Sequence, residues 1–499
     1  MLRIGADAAA CIALGAWPGE AGQSPRLAQS PFAWGVASGD PLPGGVVLWT
    51  RLDSRQLGNP RSVGVRWEVS ENDTFTRIVQ RGTAAARPQL GYSVHAEVNG
   101  LRAGRQYWYR FNGAGHVSAV GRTRTAPEFS ASPGDLDFAF VSCNNYEHGY
   151  FTAFRHLADE DIDFVVHLGD YIYERTFSPM LSVRKHEADE VFTLEDYRRR
   201  YETYRSDPDL QAAHAASPWI VTTDDHEVAN NYADAVAEAP YPREKFLLRR
   251  AAAYQTYYEF MPLRRSSMPA GPALQLFRRL RFGNLAEFHV LDTRQYRSDQ
   301  ACNDGRKARC PEALAANRTM LGANQERWLE NGLRQTRARW NVLANQVMIA
   351  ELKAMLKDQA TYSMDKWEGY TVAQQRILKL LASVPQANPV VITGDIHSNW
   401  VADLKLDFEA PSSRTIATEF VGTSISSGGD GSDAASPMTS FNPHIKYYNG
   451  RRGYVRVAVK PSRMTADYRV VPFVSKPGAP VETLVSWTVE AGKPGAEKA

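Results

Sequence analysis

Five apolar runs in this chain share the property that most limits its fold: each gives way at its carboxyl end to polar or ionisable residues. Residues 138–141 (FAFV) run into Ser142-Cys143-Asn144-Asn145, and residues 164–168 (FVVHL) into Gly169-Asp170-Tyr171-Ile172-Tyr173-Glu174. Residues 219–223 (WIVTT) run into Asp224-Asp225-His226-Glu227, residues 287–291 (EFHVL) into Asp292-Thr293-Arg294, and residues 389–393 (PVVIT) into Gly394-Asp395-Ile396-His397. Helical patterns lie between them, at 150–160, 243–260, 323–337 and 372–384. Continuous apolar strands alternating with helices predict a layered α/β core whose sheets are covered on both faces. In such folds ligands bind at the carboxyl ends of the strands. One strand ending in aspartate is ordinarily a turn or a helix cap. Five ending in Asp, His, Cys and Tyr make a constellation.

Brought together, Asp170, Asp225 and Asp395 would repel one another, because each like charge disfavours ionisation of the next. A multivalent cation removes that cost. Oxygen ligands alone select calcium or magnesium; a thiolate and a phenolate added to them argue for a transition metal as well, and ferric iron accepts every one of these donors. The expectation is a multinuclear site, with a softer position near Cys143 and oxygen positions near the aspartates. Asp170 and Tyr173 are three residues apart, so one helical turn points both at one ion, with Tyr171 as the neighbouring alternative. Asp395 and His397, two apart, share a side when extended. Asp170, central in the arrangement, is the natural bridging carboxylate.

Before residue 128 the pattern differs. Short β-like runs at 46–49, 63–69, 93–98 and 107–111 are separated by turn signals such as Asn99-Gly100 and Asn112-Gly113. They predict an N-terminal antiparallel β-sandwich of fibronectin or immunoglobulin type over residues 31–128, followed by a catalytic domain over 135–485 and a flexible tail over 486–499. Residues 1–30 carry one early cation, Arg3, then an Ala/Ile/Leu-rich stretch and small polar residues, the order of an export signal; a disordered terminus is the other reading. Of the four cysteines, Cys302 and Cys310 flank a polar loop and are expected to form a disulfide, which suits an exported chain. The balance of 58 basic against 55 acidic residues gives a net charge of +3, too small a field to recruit nucleic acid, and no apolar run is long enough to span a membrane. His167 is expected in the core, His148 and His156 on the surface, the arginines at 198–200 on a solvated helix face, and Tyr254, Tyr257 and Tyr258 in packing.

The strings Ser142-Cys143, Gly169-Asp170-Tyr171-Ile172-Tyr173-Glu174, Asp224-Asp225-His226-Glu227 and Gly394-Asp395-Ile396-His397, in that order, resemble the PhoD-like alkaline phosphatases. Residues 32–41 (FAWGVASGDP) resemble that family's leading β domain, and Gly169-Asp170-x-x-Tyr173 is similar to the purple acid phosphatase motif. The resemblance covers roughly residues 31–471. It implies a metallophosphoesterase core of two packed mixed sheets flanked by helices, and hydrolysis of phosphate monoesters or diesters by metal-assisted in-line attack. It implies Fe3+ on Cys143, Asp170, Tyr173 and His397. Ca2+ would be held by the shared Asp170, by Asp395, and by Asp225 or Asn230. His226 becomes a substrate contact or proton donor, or else simply a hydrogen-bonded histidine. Arg294 becomes a phosphate clamp, or else an ion-pair partner of Asp292 or Glu227. Small phosphoesters or phosphodiesters, possibly lipid- or polymer-linked, are the expected partners of a monomeric periplasmic or secreted enzyme that scavenges phosphate. The twin-arginine pair of the family's export signals is not present. A phospholipase D-like phosphodiesterase and a non-enzymatic, metal-stabilised surface protein are the other function classes.

Overall fold

The computed structural model describes residues 26–410 and 412–499. The export-signal expectation therefore lies outside the described residues except for 26–30. Two large sheets form the centre. In the first, Leu136–Val141, Phe164–His167 and Pro218–Val221 run parallel, with Phe164 opposite Phe138 and Val165 opposite Trp219. In the second, Ala286–Val290, Trp340–Ala344, Pro389–Thr393 and Thr415–Val421 run parallel in that order. Every residue of Phe164–His167, Pro218–Val221 and Pro389–Thr393 is buried, which is why these runs are apolar without alternation.

The sheets pack face to face over Phe138, Phe164, Phe288, Val342 and Ile392. Phe138 stacks on Phe164 at 5.4 Å and meets the Phe288 ring edge-on at 5.0 Å. Each such side chain contributes about 1.5–3 kcal/mol by burial. Helices cover the outer faces. Thr152–Asp159, Leu194–Arg205 and Arg243–Phe260 send Phe154, Tyr201 and Tyr257 onto the face that bears Trp219 and Val221. Gly322–Gln335 and Thr371–Ser383 send Leu329, Leu333 and Ile377 onto the face that bears Leu343 and Val391. A capping box of Thr193 and Asp196 starts Leu194–Arg205. That helix is not the solvated basic face its sequence suggests. Arg200 is buried and donates to the carbonyls of Tyr173 and Ala188, and Arg198 forks onto Glu259. His148 is likewise buried, against the carbonyl of Phe177.

The amino-terminal strands divide between two sheets. Val63–Ser70, Ile78–Ala86, Gln106–Gly113, His116–Val117 and Gly121–Arg124 form a five-stranded sheet. Val36–Leu42, Gly45–Arg51 and Ser93–Asn99 instead extend the first core sheet, because Val36–Leu42 pairs parallel with Pro218–Val221. Gly39 permits this approach: a Cβ there would lie 2.5 Å from the Pro262 carbonyl oxygen and 2.7 Å from that of Trp219.

The chain end departs from the expected flexible tail. Glu482–Glu490 and Lys493–Lys498 pair as the last two strands of the ten-stranded sheet, and Trp487, Val489 and Ala496 are buried. Their apolar side chains alternate toward the core, and that alternation was hidden among the Gly, Pro and Lys residues of the end.

Candidate metal centre

All five expected strand ends open on one edge of the two sheets, and the loops that follow them interlock. The backbone N–H of Cys143 donates to the Gly169 carbonyl at 3.1 Å, and that of Asn144 to the Asp170 carbonyl at 3.1 Å. Glu227 accepts from the backbone N–H groups of Tyr171, at 2.6 Å, and Asp224, at 2.9 Å. Gly169 has φ +110°, and a Cβ on it would stand 2.3 Å from the Asp224 nitrogen. Cys143, Asp170, Asp395 and His397 all have positive φ, between 57° and 64°. Side-chain-bearing residues in this region carry strain, and strain of this kind gathers at functional sites.

The side chains converge. Ligand atoms of Cys143, Asp170 and His397 lie within 4.8 Å of one another, as do those of Asp170, Asp225 and His226. Asp170 belongs to both groups, the position expected of a bridging carboxylate. Tyr173 Oη is 3.1 Å from Asp170 Oδ2 and 3.1 Å from His397 Nε2, and Ser427 Oγ lies 2.7 Å from it. Tyr171 turns away, its hydroxyl 2.9 Å from His214 Nε2. The Asn230 side-chain amide donates to Glu238 at 2.8 Å. Asp395 is in neither group, and Lys366 Nζ lies against its Oδ2.

His226 is held on three sides. Its Nδ1 is 2.7 Å from Glu174 Oε2, Tyr173 stacks on it at 4.2 Å, and Phe177 meets it edge-on at 4.8 Å. Arg294 is fully buried among acids. Nε lies 2.5 Å from Asp224, Nη1 3.0 Å from Asp365, and Nη2 3.6 Å from Asp225 and 3.9 Å from Asp395. Its ion pairs are thus not those expected with Asp292 or Glu227; of its groups, only the backbone N–H reaches Asp292, at 3.0 Å.

Burial, followed by the Asp170 charge, pushes the Cys143 thiol and the Tyr173 phenol far above their usual ranges. Burial also pushes Asp170 well up, with Asp225, Asp224 and Glu227 adding to it. Burial opposes the imidazolium of His226, but Asp225, Asp170 and Glu174 outweigh it and hold that pKa well above the ordinary value. His397 is pushed down to about 3 by burial and Arg452, which leaves it a neutral ligand. Asp170 Oδ1 is buried with no hydrogen-bond partner among the described residues. A buried, unpartnered carboxylate oxygen beside a thiol, a phenol and a neutral imidazole is a donor set that a cation satisfies, so these residues fit a metal ion.

Several participants carried no role in the sequence reading. Glu174 and Asp224 stood inside the quoted motifs with no role assigned to them. Asp365 and Lys366 lie on the irregular segment after Gln359–Ser363 and gave no signal.

A double-sheet α/β core with this donor set at its strand ends is the architecture of a phosphoric ester hydrolase laid out for metal ions. The family model of PhoD-like phosphatases matches residues 138–468, and that of the PhoD-like N-terminal domain matches residues 19–127. The chain belongs to the PhoD-like phosphatase family. It is 49% identical over 490 residues to alkaline phosphatase D of Bacillus subtilis (strain 168), covering 96% of this chain and 84% of that protein. The solved structure of PhoD superposes with a TM-score of 0.93 at 49% identity, over 95% of this chain and 93% of the other.

Proposed function

We propose that this protein is an extracytoplasmic, monomeric hydrolase of small phosphate monoesters and diesters. Fe3+ is assigned to Cys143, Asp170, Tyr173 and His397, and Ca2+ to Asp170, Asp225 and Asp395. The observation that carries the reading is the convergence of Cys143, Asp170 and His397, from three separate strand ends, on one buried point. Asp225 is preferred to Asn230 because its carboxylate stands in the group with Asp170 and His226. The disulfide between Cys302 and Cys310 supports a location outside the reducing cytosol. The amino-terminal region reads as an immunoglobulin-like sandwich that shares one sheet with the core, supported by the apolar layer of Val46, Leu48, Val65 and Tyr109 between its sheets.

Ions held there supply positive charge to the phosphate oxygens and Lewis acidity at the reacting centre. The chain's own groups do the rest. Glu174 fixes His226 through Nδ1, and Asp225, Asp170 and Glu174 together keep it protonated, so that Nε2–H serves the leaving oxygen. Arg294 Nη2, which makes no hydrogen bond among the described residues, lies 3.6 Å from Asp225 and 3.9 Å from Asp395, and its guanidinium is the chain's phosphate clamp in this reading.

The test is hydrolysis of p-nitrophenyl phosphate and bis-p-nitrophenyl phosphate, with elemental analysis and a visible spectrum of the same preparation. Turnover with bound iron and a charge-transfer band is expected, and Cys143→Ala should shift or abolish that band. Turnover by protein free of iron would defeat the iron assignment.

A further inference from the structure

Two corners of this site are balanced differently. At the corner of Cys143, Asp170, Tyr173 and His397, Asp170 has no lysine or arginine ion pair among the described residues, and its Oδ1 is unpartnered. At the other corner the chain supplies its own cation. Lys366 Nζ lies against Asp395 Oδ2, with 15% of the Lys366 side chain and 16% of that of Asp395 exposed. Arg294 Nη2 approaches Asp395 Oδ1 at 3.9 Å. Lys366 is placed by its neighbour Asp365, whose carboxylate is tied to Arg294, Arg297 and Gln300 at 2.5–3.0 Å. The ammonium is thus held at Asp395 by a braced segment rather than by a free surface side chain.

We infer that Lys366 is a tethered cation that competes with a divalent ion for Asp395, and so sets the calcium concentration at which that corner fills. This rests on the reading of Asp395 as a calcium ligand. An ion arriving at Asp395 must displace an ammonium already on one oxygen and then sit near a second cation, Arg294; in a poorly hydrated site both terms are large. At the corner of Asp170 the neighbouring cation is His226, which is hydrogen-bonded to Glu174 and makes no hydrogen bond to Asp170 among the described residues. Its ion is retained, whereas the ion of Asp395 exchanges.

The experiment compares the full chain with Lys366→Met, a near-isosteric side chain without charge, and Lys366→Arg, which keeps the charge. After chelation that removes calcium and leaves iron, verified by elemental analysis, calcium binding is measured by titration calorimetry. Lys366→Met should bind calcium at least about tenfold more tightly than wild type, because a contact cation is gone. Lys366→Arg should stay near wild type. Thermal midpoints give a second readout. Without calcium, Lys366→Met should melt lower, since Asp395 is left unbalanced, and calcium should raise its midpoint more than that of wild type; protein purified in calcium and then stripped serves if the variant folds poorly without it. Calcium affinity equal to or weaker than wild type in Lys366→Met overturns the inference while leaving the calcium assignment standing. A wild-type chain that hydrolyses phosphoesters and binds no calcium overturns the assignment itself.

Discussion

Asp170 is asked to be three things: a buried acid, a neighbour of other acids and an anion. Burial and the charges of Asp225 and Asp224 outweigh the nearby His226 and oppose its ionisation, and no hydrogen-bond partner meets its Oδ1 among the described residues. Metal-free protein therefore pays for this residue at neutral pH. Its raised pKa means the folded state binds the proton more strongly than the unfolded one, so this group stabilises the fold at low pH and the contribution is lost as pH rises through its folded pKa. Asp170→Asn should raise the stability of metal-stripped protein at pH 7.5 by about 1–3 kcal/mol in denaturant melts, while lowering hydrolysis by several orders of magnitude. A loss of stripped-protein stability would mean that the carboxylate is structurally satisfied in a way the hydrogen bonds do not reveal. His167 gives the opposite sign. Gly169 N–H donates to its Nδ1 at 3.2 Å, so Nε2 carries the proton and donates to Asn144 Oδ1 at 2.8 Å. Burial lowers its pKa to about 3 from an ordinary 6.5. The neutral ring's contribution is complete above pH 6.5 and falls away as pH drops toward 3. Between pH 7.5 and 5 that amounts to about 2 kcal/mol. His167→Gln should remove about that much of the pH dependence of the unfolding midpoint; an unchanged slope would show that the ring is protonated in the fold.

Among the elements, the strands and the loops after them differ in how far the sequence reveals them. The runs at 138–141, 164–168 and 389–393 announce themselves because a strand covered on both faces is apolar at every position, and the acids behind them mark the strand ends. Cys143, Asp170 and His397 could be read as a set for that reason. Lys366 could not, since it sits on an irregular segment after Gln359–Ser363, and nothing local ties such a segment to a strand end elsewhere in the chain. The terminal hairpin escaped because a weak period of two was diluted by turn-forming residues. The loop closed by Cys302 and Cys310 shows how a remote element reaches the site. Gln300 Nε2 donates to the Asn231 carbonyl at 2.5 Å, and Asn231 Nδ2 donates to Asp304 at 3.2 Å, while Asn231 N–H donates to Asp225 Oδ2 at 2.7 Å. Opening this loop frees chain in the unfolded state and loosens the support of Asp225 in the folded one. Replacing both cysteines by serine should cost about 2–3 kcal/mol of stability. It should also weaken hydrolysis, with KM and kcat measured on oxidised wild type as reference. Full activity at the lower stability would confine the bridge to a purely structural role.

At the scale of the whole molecule, the amino-terminal strands are not an appendage. Val36–Leu42 lies beside Pro218–Val221, with Ser38 opposite Pro218 and Gly39 opposite Trp219, so the core sheet has no edge there. Polar ties cross the same seam. Trp49 Nε1 donates to the Glu259 carbonyl at 2.9 Å, Arg205 to the Trp34 carbonyl at 2.9 Å, and Arg278 pairs with Asp40 at 2.7 Å. Without the first 127 residues, Pro218–Val221 would become an exposed, flat, apolar edge strand, and Trp219 and Arg205 would lose their cover. The strand that would fray carries Asp225 and His226 directly behind its carboxyl end, so stability and site geometry would fail together. A chain beginning at residue 128 should accumulate as insoluble protein and show no hydrolysis, and intact protein should unfold in one cooperative transition when tryptophan fluorescence and circular dichroism are followed in parallel. A soluble, folded chain from residue 128 that still cleaves p-nitrophenyl phosphate would mean that the seam is an interface between independent units rather than a shared sheet.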